Sequence, residues 1–299
     1  MNNYISVKQA SIKWNLAERT VRNYCANGRI DGAYFDSGEW LIPENAVRPK
    51  RSNANINKNH LLERLRQEKK AQRKGGIYHK FQIDVTYNSN HMEGSELTHN
   101  ETRYIFETRT IATYEGKVTK IDDVIETINH FTAFDRIIDF ANYELSERFI
   151  KEIHKILKNG TSDSKLSWFA VGDYKKIPNE VGNRATTHPR QVKEEMKRLV
   201  DEYNSKETHT LEDIIEFHVK FERIHPFQDG NGRVGRLIAF KECLKNNIVP
   251  FIIFDEKKAF YYRGLNEWDR EKGYLLGTCL NGQDVVKEYL GYFNISYEN

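Results

Sequence analysis

Apolar residues recur at intervals of three and four along most of the chain, which is the spacing of an amphipathic helix. The longest such stripe lies between Ile121 and Ile138. Shorter stripes predict helices after the N-cap residue Ser146, from Pro189, and after Thr210, where Thr210-x-x-Asp213 has the pattern of a capping box. The helix after Thr210 is predicted over 211–221, and further helices are predicted over 237–244, 257–268 and about 285–293. The predicted fold class is therefore mainly α.

The first 49 residues have a different pattern. Ser6 is predicted to cap a helix over 7–14, and a second helix follows over 18–27, with Gly28 as its stop signal. A short hairpin is predicted around Gly38. Helix, helix and hairpin in this order predict a winged helix-turn-helix over 1–49, followed by a basic linker and helix over 50–76 and a larger domain over 77–299.

Two motifs in this first part resemble the excisionase/MerR-like DNA-binding proteins. They are Thr-Val-Arg-Asn-Tyr-Cys-x-x-Gly-Arg-Ile at 20–30 and Gly-x-Trp-x-Ile-Pro at 38–43. The resemblance implies that the second helix enters the major groove, with these residues as candidate DNA contacts: Arg19, Thr20, Arg22 and Asn23. A small domain that docks proteins or dimerises is the alternative. The basic stretch over 64–74 either adds phosphate contacts or forms a solvated helix face.

Composition and cysteine content indicate in which cellular compartment the protein is found. The 299 residues carry a formal charge of +3, and 38% are hydrophobic, enough for a real core. The longest apolar run, 248–254, is too short to cross a membrane, and no secretory signal is recognisable near Met1. Three widely separated cysteines suit a reducing environment. We expect a cytoplasmic protein without a membrane partner; the oligomeric state stays open.

One segment, 224–236, concentrates candidate chemistry between two predicted helices. Arg233 and Arg236 are predicted on one face in the first turn of the second helix, where the helix dipole disfavours cations, so an anion is expected. The nest Gly230-Asn231-Gly232 offers backbone N–H groups to phosphate. Asp229 suits Mg²⁺, and His225 suits a general base. The alternative is a glycine-rich turn whose His and Asp cap helix ends.

The same segment, His-Pro-Phe-x-Asp-Gly-Asn-Gly-Arg-x-x-Arg at 225–236, resembles the signature of the Fic family. The resemblance implies a helical Fic-type core that transfers AMP from Mg²⁺-ATP to a Ser, Thr or Tyr hydroxyl of a target protein or of the chain itself. His225 would be the base, Asp229 the metal ligand, and Asn231 and Arg233 would contact the α- and β-phosphates. It also implies a β-hairpin flap within 171–187, with strands expected at 175–177 and 180–181.

A further resemblance concerns residues 81–95. Ser89-x-x-x-Glu93-Gly94 is similar to the inhibitory-helix motif of one Fic class. It implies that Glu93 forms a bidentate pair with Arg236 and keeps that arginine from a γ-phosphate.

Other residues have two interpretations. Tyr261, Tyr262 and Asn266, on the helix over 257–268, either bind adenine or pack in the core. Several histidines are predicted to be surface residues (His91, His99) or structural ones (His130, His154, His218).

Two rival functions remain. The first is a nucleotide-sensing DNA-binding transcription regulator. The second is an enzyme that either removes AMP with a water positioned by Glu93 or transfers another nucleotide-derived group. A metal-dependent nuclease is disfavoured, because Asp229 is the one clear metal ligand near the motif.

Overall fold

The computed structural model describes residues 4–26, 28–36, 39–49, 60–111, 116, 118–181 and 184–297. The chain divides into two compact units. The smaller contains the described residues before 50 together with 142–144, and the larger contains the other described residues. The linker positions 50–59 lie outside the described residues, so the predicted division at 49 and 76 stays a prediction.

The smaller unit combines two helices with an antiparallel sheet. Its elements are β1 (Tyr4–Ser6), α1 (Val7–Trp14), α2 (Glu18–Ala26), β2 (Tyr34–Asp36) and β3 (Glu39–Pro43). Strand β3 is central, with Ile5 opposite Ile42 on one side and Phe35 opposite Trp40 on the other. Ser6 caps α1 through a capping box.

Both predicted helices and the predicted hairpin strands are present in this unit, whereas β1 was not predicted. Three predicted positions, Asn27 at the helix end and Ser37 and Gly38 in the turn, lie outside the described residues. Assignment to a DNA-binding class stays a prediction.

The larger unit is helical, as expected. Its helices are α3 (His60–Lys70), α4 (Ile77–Met92), α5 (His99–Thr108), α6 (Ile121–Asp139), α7 (Glu147–Lys158), α8 (Pro189–Asn204), α9 (Leu211–Ile224), α10 (Asn231–Lys245), α11 (Lys258–Glu267) and α12 (Gly273–Tyr292). Ser146 caps α7, Pro189 opens α8, and Thr210 and Asp213 form the predicted capping box of α9. Among the described residues, no helix is both long and apolar enough to cross a bilayer.

Helix α10 lies in the middle of this unit. All its residues from Asn231 to Leu244 are buried, and it packs against α4, α6, α7 and α9. Phe240 lies edge-on to Phe81 and Phe134, at ring-centroid distances of 5.4 and 5.1 Å. Because a helix buried on all sides exposes none of its polar groups, each charged side chain of α10 needs a partner within the protein.

The predicted hairpin within 171–187 is present with its strand at 180–181, but the other strand differs from the prediction. Two-residue strands β4 (Glu180–Val181) and β5 (Arg184–Ala185) pair with each other, and the strand expected at 175–177 is absent. The reason is that Lys175 is held elsewhere. Its N–H donates to Pro226 O at 2.8 Å, and its buried Nζ donates to Asn179 Oδ1 at 2.7 Å. This segment therefore supports the loop between α9 and α10.

Helix α5 was not predicted, although it begins with a capping box between Thr98 and Glu101. In α3, part of the basic stretch has a structural use within the unit. Arg66 donates to Ile138 O at 3.2 Å, and Lys69 pairs with Asp139 at 2.7 Å.

Candidate active site

The loop between α9 and α10 has a defined backbone. His225 ends α9 in the left-handed conformation with φ +51°, and Gly230 begins α10 with φ +82°. Between them, Phe227 is fully buried in the core of the larger unit. The buried Phe227 ring therefore anchors the loop. His225 lies at one end of the loop, and the start of α10 lies at the other.

Asn231 closes this loop. Its Oδ1 accepts a hydrogen bond from Phe227 N–H at 2.8 Å, and its Nδ2 donates to Phe227 O at 2.9 Å. The side chain is buried. Both the oxygen and the nitrogen of the Asn231 amide thus bind the loop backbone. The family resemblance had implied a direct contact with an α-phosphate instead.

His154, on α7, holds the loop from the other side. Its ring stacks on Phe227 at a centroid distance of 3.9 Å. Gly172 N–H donates to its Nδ1 at 3.0 Å, so its Nε2–H donates to Asp229 O at 3.1 Å. Burial lowers the pKa of His154 to about 3, which keeps this single-proton arrangement at neutral pH. The side chain is structural, as predicted.

His225 has the ionisation state of a base. Burial, followed by the nearby charge of Lys175, lowers the pKa of His225 to about 4. The imidazole is therefore neutral at physiological pH and can accept a proton.

The two arginines are placed differently from the prediction. Arg233 is the third residue of α10, whereas Arg236 lies in its second turn. Both have acidic partners. The side chain of Arg233 pairs with Glu126 of α6 and with Asp229, the latter at 3.2 Å. The sequence predicted an acidic partner for Arg236, whereas the partner of Arg233 on α6 was not predicted.

Arg236 is held by the end of α4. Its Nη2 donates to Glu93 Oε1 at 2.7 Å and to Ser89 O at 2.9 Å, and its Nε donates to Ser89 Oγ at 3.0 Å. Burial alone would lower the pKa of Arg236, but the charge of Glu93 raises it. The Glu93 contact uses one carboxylate oxygen, where a bidentate pair was expected. Gly94, with φ +96°, follows the helix.

Gly232 shows how closely Glu93 approaches α10. A β-carbon at this position would overlap Glu93 Oε1 and would lie 2.9 Å from Arg236 Nη1. The carboxylate therefore lies against the first turn of the helix, where N–H groups are available to an anion.

Asp229 is held by two cations that both contact its Oδ2. Lys158 Nζ, on α7, lies 2.6 Å from Asp229 Oδ2 and 2.5 Å from Glu126 Oε1. Burial alone would raise the pKa of Asp229, but Arg233 and Lys158 hold it well below its usual range.

Sequence reasoning missed Lys158 and Glu126. The ion pairs of Asp229 with Lys158 and of Arg233 with Glu126 span 71 and 107 positions. No local pattern marks partners so far apart.

Asp229 offers a divalent cation one carboxylate ligand. The Asp229 side chain is 47% exposed, and its ion pairs with Lys158 and Arg233 both use Oδ2. One carboxylate oxygen suits Mg²⁺, which keeps several waters and takes further ligands from phosphates. Among the described residues, no group of three or more His, Cys, Asp or Glu side chains could hold a metal by itself.

The candidate adenine residues do not share one environment. Tyr261 is buried in the core, and a 2.6 Å hydrogen bond joins its hydroxyl to His218 Nε2. For Tyr261 the core-packing alternative therefore fits. Tyr262 is partly buried, and burial, then the charge of Glu93, raises the pKa of Tyr262 to about 12. Asn266 is exposed.

The remaining histidines have ordinary surroundings. His91 and His99 are partly or largely exposed and pair with Asp255 at 3.6 Å and Asp84 at 2.8 Å. His130 is buried and hydrogen-bonded to Thr86 Oγ1 at 2.9 Å.

Known proteins resemble this chain at the level of sequence. Residues 144–242 match the model of the Fic/DOC family. The protein adenylyltransferase fic-1 of Caenorhabditis elegans is 26% identical over 226 residues, which is 71% of this chain and 42% of the relative. The protein adenylyltransferase Fic of Drosophila willistoni is 28% identical over 190 residues, 61% of this chain and 36% of the relative. The chain thus spans less than half the length of these curated relatives.

Solved structures share the fold. A Fic domain containing signaling protein from Bacteroides thetaiotaomicron has a TM-score of 0.62 at 24% identity, covering 80% of this chain and 98% of that one. Fic-1 from C. elegans (residues 134–508) has a TM-score of 0.57 at 21% identity, covering 79% and 72%. The matched segment thus resembles the Fic/DOC family in sequence, and the chain shares the fold of these solved structures.

Proposed function

We propose that this chain is a protein adenylyltransferase, which transfers AMP from ATP to a Ser, Thr or Tyr hydroxyl of a target protein or of itself. The observation that carries the proposal is a partly buried, neutral His225 one loop away from the start of α10, whose N–H groups favour an anion. The curated relatives are named protein adenylyltransferases, which supports the same reaction class.

The triphosphate would lie across the start of α10. There the backbone N–H groups of Gly230, Asn231 and Gly232 favour an anion. Arg233, held by Glu126 and Asp229, would bind the β-phosphate. Asp229 would hold Mg²⁺, which when bound supplies positive charge between the phosphates.

His225 would act on the incoming hydroxyl. Its neutral imidazole takes the proton while the hydroxyl oxygen attacks the α-phosphorus. A new phosphorus–oxygen bond forms, the bond to the β-phosphate oxygen breaks, and pyrophosphate leaves. Asn231 and His154 contribute by holding the loop that fixes the spacing between His225 and the phosphates.

We further propose that the chain is autoinhibited by Glu93. Glu93 and Ser89 engage Arg236 on the side of α10 where a γ-phosphate would bind. A nucleotide could then bind only with its triphosphate displaced, and in-line attack on the α-phosphorus would fail.

The test of the transferase proposal is label transfer from ATP radiolabelled at the α-phosphate. We expect His225→Ala to abolish transfer while ATP binding, measured by calorimetry, persists. The exposed His60 provides a matched control, since His60→Ala should transfer label like the wild type. Unchanged labelling by His225→Ala would remove His225 as the base.

One observation keeps the reverse reaction as a second candidate. The Glu93 carboxylate lies against the start of α10, where it could orient a water towards a phosphoester. Incubation of an AMP-modified protein with the chain and Mg²⁺, but no ATP, tests this candidate. Release of AMP that is lost in Glu93→Gln would support it.

The smaller unit carries a separate proposal, DNA binding through α2. Arg19, Arg22 and Asn23 are exposed on this helix, and Thr20 is partly exposed. Arg22 also pairs with Glu18 at 2.7 Å, which lowers the positive charge of this surface. Binding to DNA from the chain's own promoter should weaken steeply with salt and on Arg19→Ala.

A further inference from the structure

Four charged side chains form a closed ring beside the loop. Glu126 contacts Lys158 and Arg233 through its two oxygens, and Asp229 Oδ2 contacts the same two cations. Two acids and two bases alternate around the ring, so its formal charge is zero.

Lys158 is an unusual member of this ring. Its side chain is only 3% exposed, although lysines are rarely buried unless they are paired. Removing an ammonium from water is costly, and the two carboxylates offset that cost. Lys158 is therefore held in one position, unlike a mobile surface lysine.

The position of Lys158 matters for any cation that binds Asp229. A divalent cation on this carboxylate would lie a few ångströms from the ammonium, which already takes Oδ2. Like charges at such a distance repel strongly in a partly buried site. Asp163 also approaches the ammonium, at 3.9 Å, but its side chain is 45% exposed and its charge is screened by water and salt. The ring itself has zero formal charge, so the bare protein offers the cation little net attraction.

We propose that Lys158 is a positioning residue that controls cation binding at Asp229. Its ammonium fixes Oδ2 and keeps the affinity of the nucleotide-free protein for divalent cations low. The cation is retained once a nucleotide polyphosphate adds oxygen ligands and negative charge. The chain thus takes up its cation together with the nucleotide.

This inference shares with the proposed function the assignment of Asp229 as the cation ligand. It does not depend on AMP transfer. The experiment below measures cation binding without any reaction, so each proposal can fail while the other stands.

The test uses Mn²⁺ as the probe, with free and bound ion distinguished by electron paramagnetic resonance. In nucleotide-free protein, Lys158→Gln should bind Mn²⁺ about tenfold more tightly than the wild type, because a repelling charge is gone. The gain should disappear in Lys158→Gln combined with Asp229→Asn. The matched control is Lys155→Gln, an exposed lysine of the same helix, which should behave like the wild type.

A second variant shifts the charge in the opposite direction. Glu126→Gln removes one of the two carboxylates and leaves the ring with a net positive charge, so Mn²⁺ binding in the presence of a non-hydrolysable ATP analogue should weaken several-fold. This arm also carries the test if Lys158→Gln proves unfolded by circular dichroism. The proposal is overturned if Lys158→Gln binds no tighter, if its gain survives Asp229→Asn, or if Glu126→Gln binds Mn²⁺ as well as the wild type.

Discussion

The three basic residues of the site have different surroundings: His225, Arg233 and Arg236. His225 is neutral, Arg233 is paired within the charge ring, and Arg236 is paired with Glu93. The sequence predicted which residue types gather at the loop, because the motif is contiguous. It did not predict the partner of Arg233 from α6, since an ion pair across 107 positions leaves no local pattern.

Removing the Glu93 carboxylate should release Arg236. In the wild type, the nucleotide must displace a charge-assisted hydrogen bond that contributes about 1.5–3 kcal/mol. The rate of transfer by Glu93→Gly should therefore be higher by about tenfold or more. The measurement is initial labelling rate at fixed ATP. Glu96→Gly removes an exposed glutamate three residues further along and serves as the control. A lower rate in Glu93→Gly than in wild type would contradict autoinhibition.

The pH dependence should report His225. Because burial lowers its pKa to about 4, the imidazole stays neutral and able to accept a proton down to that pH. Transfer by Glu93→Gly should therefore vary little from about pH 8 to pH 6, whereas a histidine with the usual pKa of about 6.5 would lose half its activity near that value. Initial rates across this range, with folding checked by circular dichroism, decide between the two.

At the scale of elements, most helices and the hairpin strand at 180–181 were predictable, whereas helix α5 and the partner strand β5 were not. Capping residues such as Ser146 and Thr210 mark helix starts by local hydrogen bonds, and apolar stripes mark the buried faces. The two-residue strand β5 has no such signal. The sequence predicted that Lys175 lies in a strand. Its hydrogen bonds to the α9–α10 loop place it outside the hairpin instead.

The loop between α9 and α10 depends on α7. His154→Ala removes the ring stacked on Phe227 and the donor to Asp229 O. The free energy of unfolding should fall by about 3 kcal/mol, as for other truncated buried rings, and transfer should fall with it. Urea unfolding of this variant beside His60→Ala, an exposed histidine, makes the comparison. Equal stability of the two would show that α7 does not support the loop.

At the scale of the whole molecule, the mainly helical fold followed from the sequence, while the burial of α10 did not. Its periodicity is obscured by Arg233, Arg236 and Lys241, which are all buried and paired. Lys241 pairs with its neighbour Glu242, but Arg233 and Arg236 find Glu126 and Glu93 outside α10, so only the assembled unit shows that this charged segment lies at its centre.

Buried histidines should make the fold sensitive to acid. His130, His154, His218 and His225 have pKa values lowered to about 3–4, chiefly by burial. The unfolded chain binds protons at these positions near pH 6.5, so it holds more protons than the folded chain below that value, and stability falls as pH drops from about 6.5 to about 4. Glu222, whose pKa burial raises to about 8, acts in the opposite direction, but it is one group against four.

This acid sensitivity is measured by urea unfolding at several pH values. We expect the midpoint to decrease steadily below about pH 6.5, as the linkage relation requires. A midpoint that stays constant down to about pH 4 would contradict the burial of these histidines as neutral groups.

The most direct test of the central claim uses Glu93→Gly and two preparations of ATP, labelled at either the α- or the γ-phosphate. The account predicts that protein becomes labelled from the α-phosphate only, and that His225→Ala added to Glu93→Gly abolishes the signal. Labelling from the γ-phosphate, or labelling that persists without His225, would contradict AMP transfer by this site.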